Sequence, residues 1–137
     1  MSYEYFEHQA DIGIRGKGNT LAEAFEQAAL AMFEIMVDTI DLNPTESQIV
    51  EIEADNSEEL LISWLSELLF LKDVENKIFS RFEISKIDDN TIMAKVYGEK
   101  IDFLRHKLKL EVKAATWTQL AIKKHDNGYI AQCLVDV

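Results

Sequence analysis

Three charged side chains and the terminal carboxylate of this 137-residue sequence have types and positions that could do chemistry. The carboxylate of Asp11 could cap a turn, or it could be a hard oxygen ligand for a divalent cation. Asp136 and the terminal carboxylate of Val137 are adjacent, and two such anions repel each other unless water solvates them or a cation shares them. Lys113 is either a solubility device on a strand or a charge partner for an acidic group.

The sequence lacks the motifs of several common enzyme classes. It contains no GxxxxGK[ST] phosphate loop, no GxSxG nucleophile elbow and no HExxH zinc helix. Gly16-Lys17-Gly18 lacks the third glycine of a dinucleotide-binding loop, so a tight turn is the better interpretation. Cys133 is the only cysteine, which excludes an internal disulfide and a CxxC site. It alternates with Gln132 and Leu134 in a predicted strand, a pattern typical of a buried, unreactive thiol.

Two helices are expected to position these residues. Thr20-Leu21-Ala22-Glu23 has the pattern of a capping box, and it predicts a helix from Leu21 to about Val37. Asn56-Ser57-Glu58-Glu59 begins a second helix in the same way. A wide apolar stripe that includes Trp64 follows it, and a Trp on such a stripe belongs more often to a core than to a binding site.

The remaining segments have the alternating patterns of strands. The clearest is Lys107–Lys113, in which three apolar residues alternate with charged ones. His125-Asp126-Asn127-Gly128 predicts a hairpin turn, and Tyr129–Val137 a final strand built into the sheet. We therefore expect a single domain over residues 1–137. Its class is α+β, with two helices packed on a largely antiparallel β-sheet.

The charge balance narrows the choice of partners. Lys plus Arg number 14 and Asp plus Glu number 25, a net charge of −11. Strong direct binding to nucleic-acid phosphates or to an anionic membrane calls for a basic surface, so neither is expected. The N-terminus has no apolar signal core, and the longest nearly apolar run, Leu68–Leu71, is too short to span a bilayer. We expect a soluble, reduced, cytoplasmic protein.

Taken in order, several segments make the sequence resemble the archease family across essentially the whole chain. Each motif is weak by itself, but the ordered set with its terminal Asp is specific. The motifs are His8-Gln9-Ala10-Asp11-Ile12-Gly13-Ile14 with Gly16, Thr20-Leu21-Ala22-Glu23-Ala24-Phe25, Leu60-Leu61 with Trp64-Leu65 and Glu67-Leu68-Leu69, Tyr97-Gly98-Glu99, Val112-Lys113-Ala114 with Thr116-Trp117, and Leu134-Val135-Asp136-Val137.

The resemblance implies a function that the composition alone does not indicate. Archeases are partners of the RtcB-type RNA ligase, which joins tRNA halves after intron removal, depends on GTP and uses a metal such as manganese. They promote guanylylation of the ligase and its multiple turnover, and they have been linked to a chaperone-like role toward RNA-modifying enzymes. We therefore expect an activator with the ligase as its partner, and not an enzyme.

The resemblance also implies a site. The family's metal site, described with calcium, carries over to Asp11, Asp136 and Val137. Its functionally important lysine carries over to Lys113. We expect His8 of the first motif to act toward the partner together with Lys113. An all-oxygen ligand set favours calcium, magnesium or manganese over zinc.

Two departures from the family pattern affect this site. Gln9 stands where the family usually has Thr, next but one to the expected ligand Asp11, where it could alter supporting hydrogen bonds. Trp117-Thr118 stands where the family often has Tyr-His, which removes an imidazole from the later motif.

Two other functions fit the residues. A small metal-dependent hydrolase or phosphotransferase could use the carboxylates and a lysine to hold a metal-bound water near a phosphate. No nucleophile and base pair supports that hypothesis. A chaperone-like binding module, in which the aspartates are merely structural, is the other alternative.

Overall fold

Two α-helices, eight strands and one short 3₁₀ helix at Thr39–Asp41 make up the fold. The computed structural model describes residues 1–137, with helix α1 at Leu21–Met36 and helix α2 at Ser57–Glu75. In chain order the strands are β1 Ser2–His8, β2 Asp11–Gly18, β3 Glu46–Glu53, β4 Lys77–Ile87, β5 Thr91–Lys100, β6 Ala114–Ala115, β7 Ala121–His125 and β8 Gly128–Asp136.

The strands divide into two antiparallel sheets. A five-stranded sheet has the order β1-β2-β8-β6, and β7 pairs with β8 as well. A three-stranded sheet has the order β3-β5-β4. The predicted class, α+β with two helices packed on largely antiparallel sheet, is confirmed. Neither helix combines the length and the apolarity needed to cross a membrane.

The helices begin where the capping patterns predict. The Thr20 hydroxyl accepts the Glu23 backbone N–H at 3.1 Å, and the Asn56 side chain accepts the Glu59 N–H at 2.9 Å. Each glutamate also accepts the N–H of the residue that precedes its cap, at 3.2 and 3.3 Å. These bonds satisfy backbone donors that a helix N-terminus leaves without partners.

The core surrounds α1, which packs against both sheets. Strand β2 crosses α1 so closely that a Cβ atom at Gly16 would lie 2.1 Å from the Ala24 carbonyl oxygen. Only glycine fits that contact. The Trp64 side chain is fully buried, and its indole N–H donates to the Phe25 carbonyl at 3.1 Å. Trp64 is therefore a core residue, as its position on the apolar stripe indicated.

The prediction of a strand at Lys107–Lys113 is wrong. This segment is irregular and forms one isolated bridge, between Leu108 and Val37. Its alternating apolar residues do not share a buried face, because Val112 is 1% exposed while Leu110 is 54% exposed. The alternation indicated a strand, but the backbone of this segment instead binds carbonyl groups at the end of α1.

The predicted hairpin between β7 and β8 is confirmed. His125 pairs with Gly128, so the two-residue loop is Asp126-Asn127. Both loop residues have positive φ, 45° and 67°, which is the requirement of a type I′ turn. Asn tolerates this conformation better than most residues do, which explains its place in the loop.

Candidate functional site

The residues expected at the site meet at one end of the five-stranded sheet. Ile12 of β2 pairs with Val135 of β8, so Asp11 and Asp136 are the next residues along two adjacent strands. Asp11 also pairs with His8, the last residue of β1. We call this region the carboxylate end and define it by Asp11, Asp136, His8, Lys113 and Val137.

Strand geometry also puts three of these side chains on one face. Ile14, Cys133 and Val135 are fully buried and belong to the core, so they mark the helix side of the sheet. Side chains alternate along a strand, and directly paired residues share a face. Asp11 and Asp136 therefore lie on the face that points away from the helices, together with His8.

Lys113 and Val137 reach the same end from another direction. The Lys113 backbone N–H donates to the Asp136 carbonyl oxygen at 2.7 Å, just beyond the pairing of Ala114 with Asp136. Lys113 is exposed, while Val137 is half-buried and packs against the core. The prediction that the last residues are built into the sheet is confirmed, because β8 extends to Asp136.

The charged side chains of the carboxylate end form no ion pairs with one another or with the rest of the protein. No salt bridge of the protein involves Asp11, Asp136 or Lys113. Like charges on adjacent strands repel, so this arrangement favours a bound cation or a positive group from a partner. No group of three or more His, Cys, Asp and Glu side chains could hold a metal ion. A cation here would therefore need the two aspartates together with the α-carboxylate and water, which is an all-oxygen set.

Cys133 is fully buried, as the sequence predicted. Burial raises the pKa of its thiol to about 12. The reactive species of a cysteine is the thiolate, so a thiol with this pKa is inert at neutral pH. A Cys–His nucleophile is therefore not available in this fold.

Sequence reasoning missed a polar cluster at the end of β5, which we call the Glu99 cluster and define by Glu99, Asn43, Arg105 and His106. The Glu99 carboxylate accepts hydrogen bonds from the Asn43 backbone N–H and from the Arg105 guanidinium. His106 is 4% exposed, and its Nε2 lies 3.3 Å from Glu99 Oε2 without the alignment of a hydrogen bond. Its Nδ1 accepts the Asp102 N–H at 2.9 Å. Burial lowers the pKa of His106, which favours the neutral imidazole, and because Nδ1 accepts a hydrogen bond the proton of that neutral form is on Nε2. Tyr97-Gly98-Glu99 was singled out as a family motif, but nothing in the sequence near it points to Asn43.

Comparison with known proteins gives a consistent result. A sequence model of the Archease protein family (MTH1598/TM1083) matches residues 3–137. Protein archease of Sulfurisphaera tokodaii is 42% identical over 138 residues, covering 100% of this chain and 99% of the relative. Protein archease of Thermococcus gammatolerans is 43% identical over 139 residues, covering 98% of each.

Solved structures agree with the sequence match. The solution structure of Methanobacterium thermoautotrophicum protein 1598 is 36% identical, with a TM-score of 0.81 over 99% of both chains. The crystal structure of a Thermotoga maritima archease, described as a possible chaperone, has a TM-score of 0.65 at 20% identity and covers 96% of this chain and 94% of its own. The second likeness concerns the fold alone. The family model and the full-length relatives, by contrast, share sequence along the whole chain, and the chain therefore belongs to the archease family.

Proposed function

We propose that this protein is a non-catalytic activator of the GTP-dependent RtcB-type RNA ligase in tRNA splicing. In this role it promotes guanylylation of the ligase and its multiple turnover. Membership of the archease family supports the proposal. The observation that carries it is the convergence of Asp11, Asp136 and Lys113, distant in sequence, at one end of one sheet.

A divalent cation, with calcium as the first choice, belongs to this proposal. The carboxylates of Asp11 and Asp136 and the α-carboxylate of Val137 would hold it, and magnesium or manganese suits the same oxygen ligands. A bound cation would neutralise the repulsion between these groups and offer positive charge to the ligase or its nucleotide. The exposed Lys113 ammonium beside β6 and His8 on β1, at opposite edges of this end of the sheet, would then contact acidic groups of the partner.

The charge of the whole protein is consistent with a protein partner in the cytoplasm. A net charge of −11 complements a basic, RNA-binding ligase and speeds the encounter with it. The same charge opposes direct contact with tRNA phosphates. In this proposal the ligase binds the RNA, and the activator touches only the ligase.

The test is multiple-turnover RNA ligation by the cognate ligase with GTP and metal. Wild-type protein should stimulate the reaction, and Asp136→Ala should abolish the stimulation, because it removes one of two side-chain carboxylates from the site. Asp11→Ala should have the same effect, and Lys113→Ala should weaken stimulation. Asp89→Ala changes an exposed aspartate in the turn between β4 and β5 and should stimulate normally.

Normal stimulation by a well-folded Asp136→Ala protein would falsify the role of the carboxylates. Lack of stimulation by wild-type protein, with an active ligase, would leave the chaperone-like alternative. Turnover of nucleotide or RNA phosphates by this protein alone would show that it is an enzyme.

A further inference from the structure

An apolar groove opens beside the carboxylate end, on the helix side of β1 and β2. Its volume is about 610 Å³, and its walls include Tyr5 of β1, Ile12 of β2, Ile35 of α1 and Leu110 of the irregular segment. Tyr5 is 43% exposed and Leu110 is 54% exposed. Concave apolar surface that water can reach is typical of binding sites.

The walls of the groove are fixed before anything binds. The Leu110 N–H donates to the Ile35 carbonyl at 3.2 Å, and the Lys109 N–H donates to the Met36 carbonyl at 2.8 Å. These bonds use carbonyls that the end of α1 leaves without helical partners. The Tyr5 hydroxyl donates to the Ala31 carbonyl at 2.8 Å. A ligand would therefore not have to order these residues, which favours affinity.

The rim of the groove is negatively charged. Glu7 and Glu34 line it together with one cation, Lys109. The Lys109 Nζ lies 3.8 Å from Glu34 Oε1 and 3.1 Å from Asp38 Oδ1, so nearby carboxylates already neutralise it. Glu7 has no salt bridge and is exposed. An occupant that combines apolar surface with a positive charge fits this rim best.

The position of the groove connects it to the candidate site. Ile12 directly follows Asp11 along β2, so the groove and the two aspartate side chains lie at the same end of the sheet but on its opposite faces, and Leu110 precedes Lys113 by three residues. We infer that the groove is the docking site for an apolar side chain that the partner protein presents beside a basic side chain. The inference rests on the proposed function, because the partner is the protein that the carboxylate end serves.

A titration separates docking from activation. The ligation rate is measured with the cognate ligase over increasing concentrations of wild-type, Leu110→Asp and Asp136→Ala protein. Leu110→Asp should raise the concentration for half-maximal stimulation about tenfold or more, equivalent to about 1.4 kcal/mol, with the same maximum at saturation. Asp136→Ala should lower the maximum instead. Glu7→Lys should also raise the half-maximal concentration, and high salt should shrink that effect.

The matched control is Leu104→Asp, which places the same charge at a fully exposed leucine outside the groove. It should leave both parameters at the wild-type values. Equal half-maximal concentrations for Leu110→Asp and wild-type protein overturn the docking inference and leave the proposed function standing. If wild-type protein does not stimulate at all, the proposed function fails. In that case calorimetry measures the binding of wild-type and Leu110→Asp protein to the ligase. The docking inference is overturned if the two proteins bind with equal affinity or if the wild-type protein does not bind.

Discussion

At the scale of single residues, the protonation of His106 affects the stability of the folded state. The fold holds its imidazole neutral through burial, with the Arg105 charge acting in the same direction and Asp102 and Asp41 opposing. The pKa of His106 is therefore lower in the folded than in the unfolded state, where it is about 6.5. The contribution of His106 to stability is complete above the unfolded-state pKa and is lost as the pH falls through that value toward the folded-state pKa.

His106→Asn tests this linkage, because an asparagine side chain can still accept the Asp102 N–H but does not titrate. We expect the free energy of unfolding of the wild type, relative to the variant, to decrease between about pH 8 and about pH 5. Denaturant unfolding of both proteins across that range measures it. Burial also raises the pKa of Glu26, but Glu26 is present in both proteins, so its effect on the pH dependence cancels in the comparison. A difference in stability that does not change with pH would contradict the prediction.

The candidate site residues could be predicted only through family motifs. The residues by themselves left a turn cap open for Asp11 and a solvated terminus open for Asp136, although the strand pattern up to Val137 argued against a frayed end. The reason is physical: their proximity depends on the pairing of β2 with β8, which no local pattern encodes. The Glu99 cluster was missed for the same reason, since Glu99 binds the Asn43 N–H across 56 residues of sequence.

At the scale of elements, local chemistry determined what could be predicted. Both helix starts and the β7–β8 hairpin follow from hydrogen bonds or dihedral preferences within four residues. The segment Lys107–Lys113 has the alternation of a strand, yet its backbone binds the end of α1. The division of the strands into two sheets was not predicted, because it depends on how α1 packs between them.

The Glu99 cluster should hold the start of this irregular segment in place. Glu99→Ala would remove the acceptor of the Asn43 N–H and of the Arg105 guanidinium, and hydrogen bonds to a charged group are worth more than neutral ones, so we expect a loss of about 1–3 kcal/mol in the free energy of unfolding. Amide hydrogen exchange should accelerate over residues 101–110 and stay slow in β2 and β8.

Glu51→Ala is the matched control, because Glu51 is an exposed glutamate of β3. It should change neither the stability nor the exchange rates appreciably. If the two variants exchange alike over residues 101–110, the cluster does not anchor the segment.

At the scale of the whole molecule, the net charge of −11 makes stability depend on ions. Self-repulsion destabilises the compact state, so we expect sodium chloride to raise the Tm modestly as it screens the charges. Calcium chloride at the same ionic strength should raise the Tm further, because an ion that binds only the folded state stabilises it by mass action.

The additional effect of calcium should be absent in Asp136→Ala protein and present in Asp89→Ala protein. Calorimetric melting of the three proteins in the two salts measures it. Equal melting temperatures of wild-type protein in sodium and calcium salts would show that the carboxylate end does not bind calcium.

The pairing of β2 with β8 also sets an order of assembly. The three-stranded sheet uses strands within residues 46–100, whereas Arg15 of β2 meets Gln132 of β8 across 117 residues. Closing so long a loop is slow compared with forming local hairpins, so we expect the five-stranded sheet to be completed last. Until then one edge of β2 is open and prone to mispairing with another molecule. Asp11 and Asp136 become neighbours only at that final step, so an incompletely folded chain presents no carboxylate end.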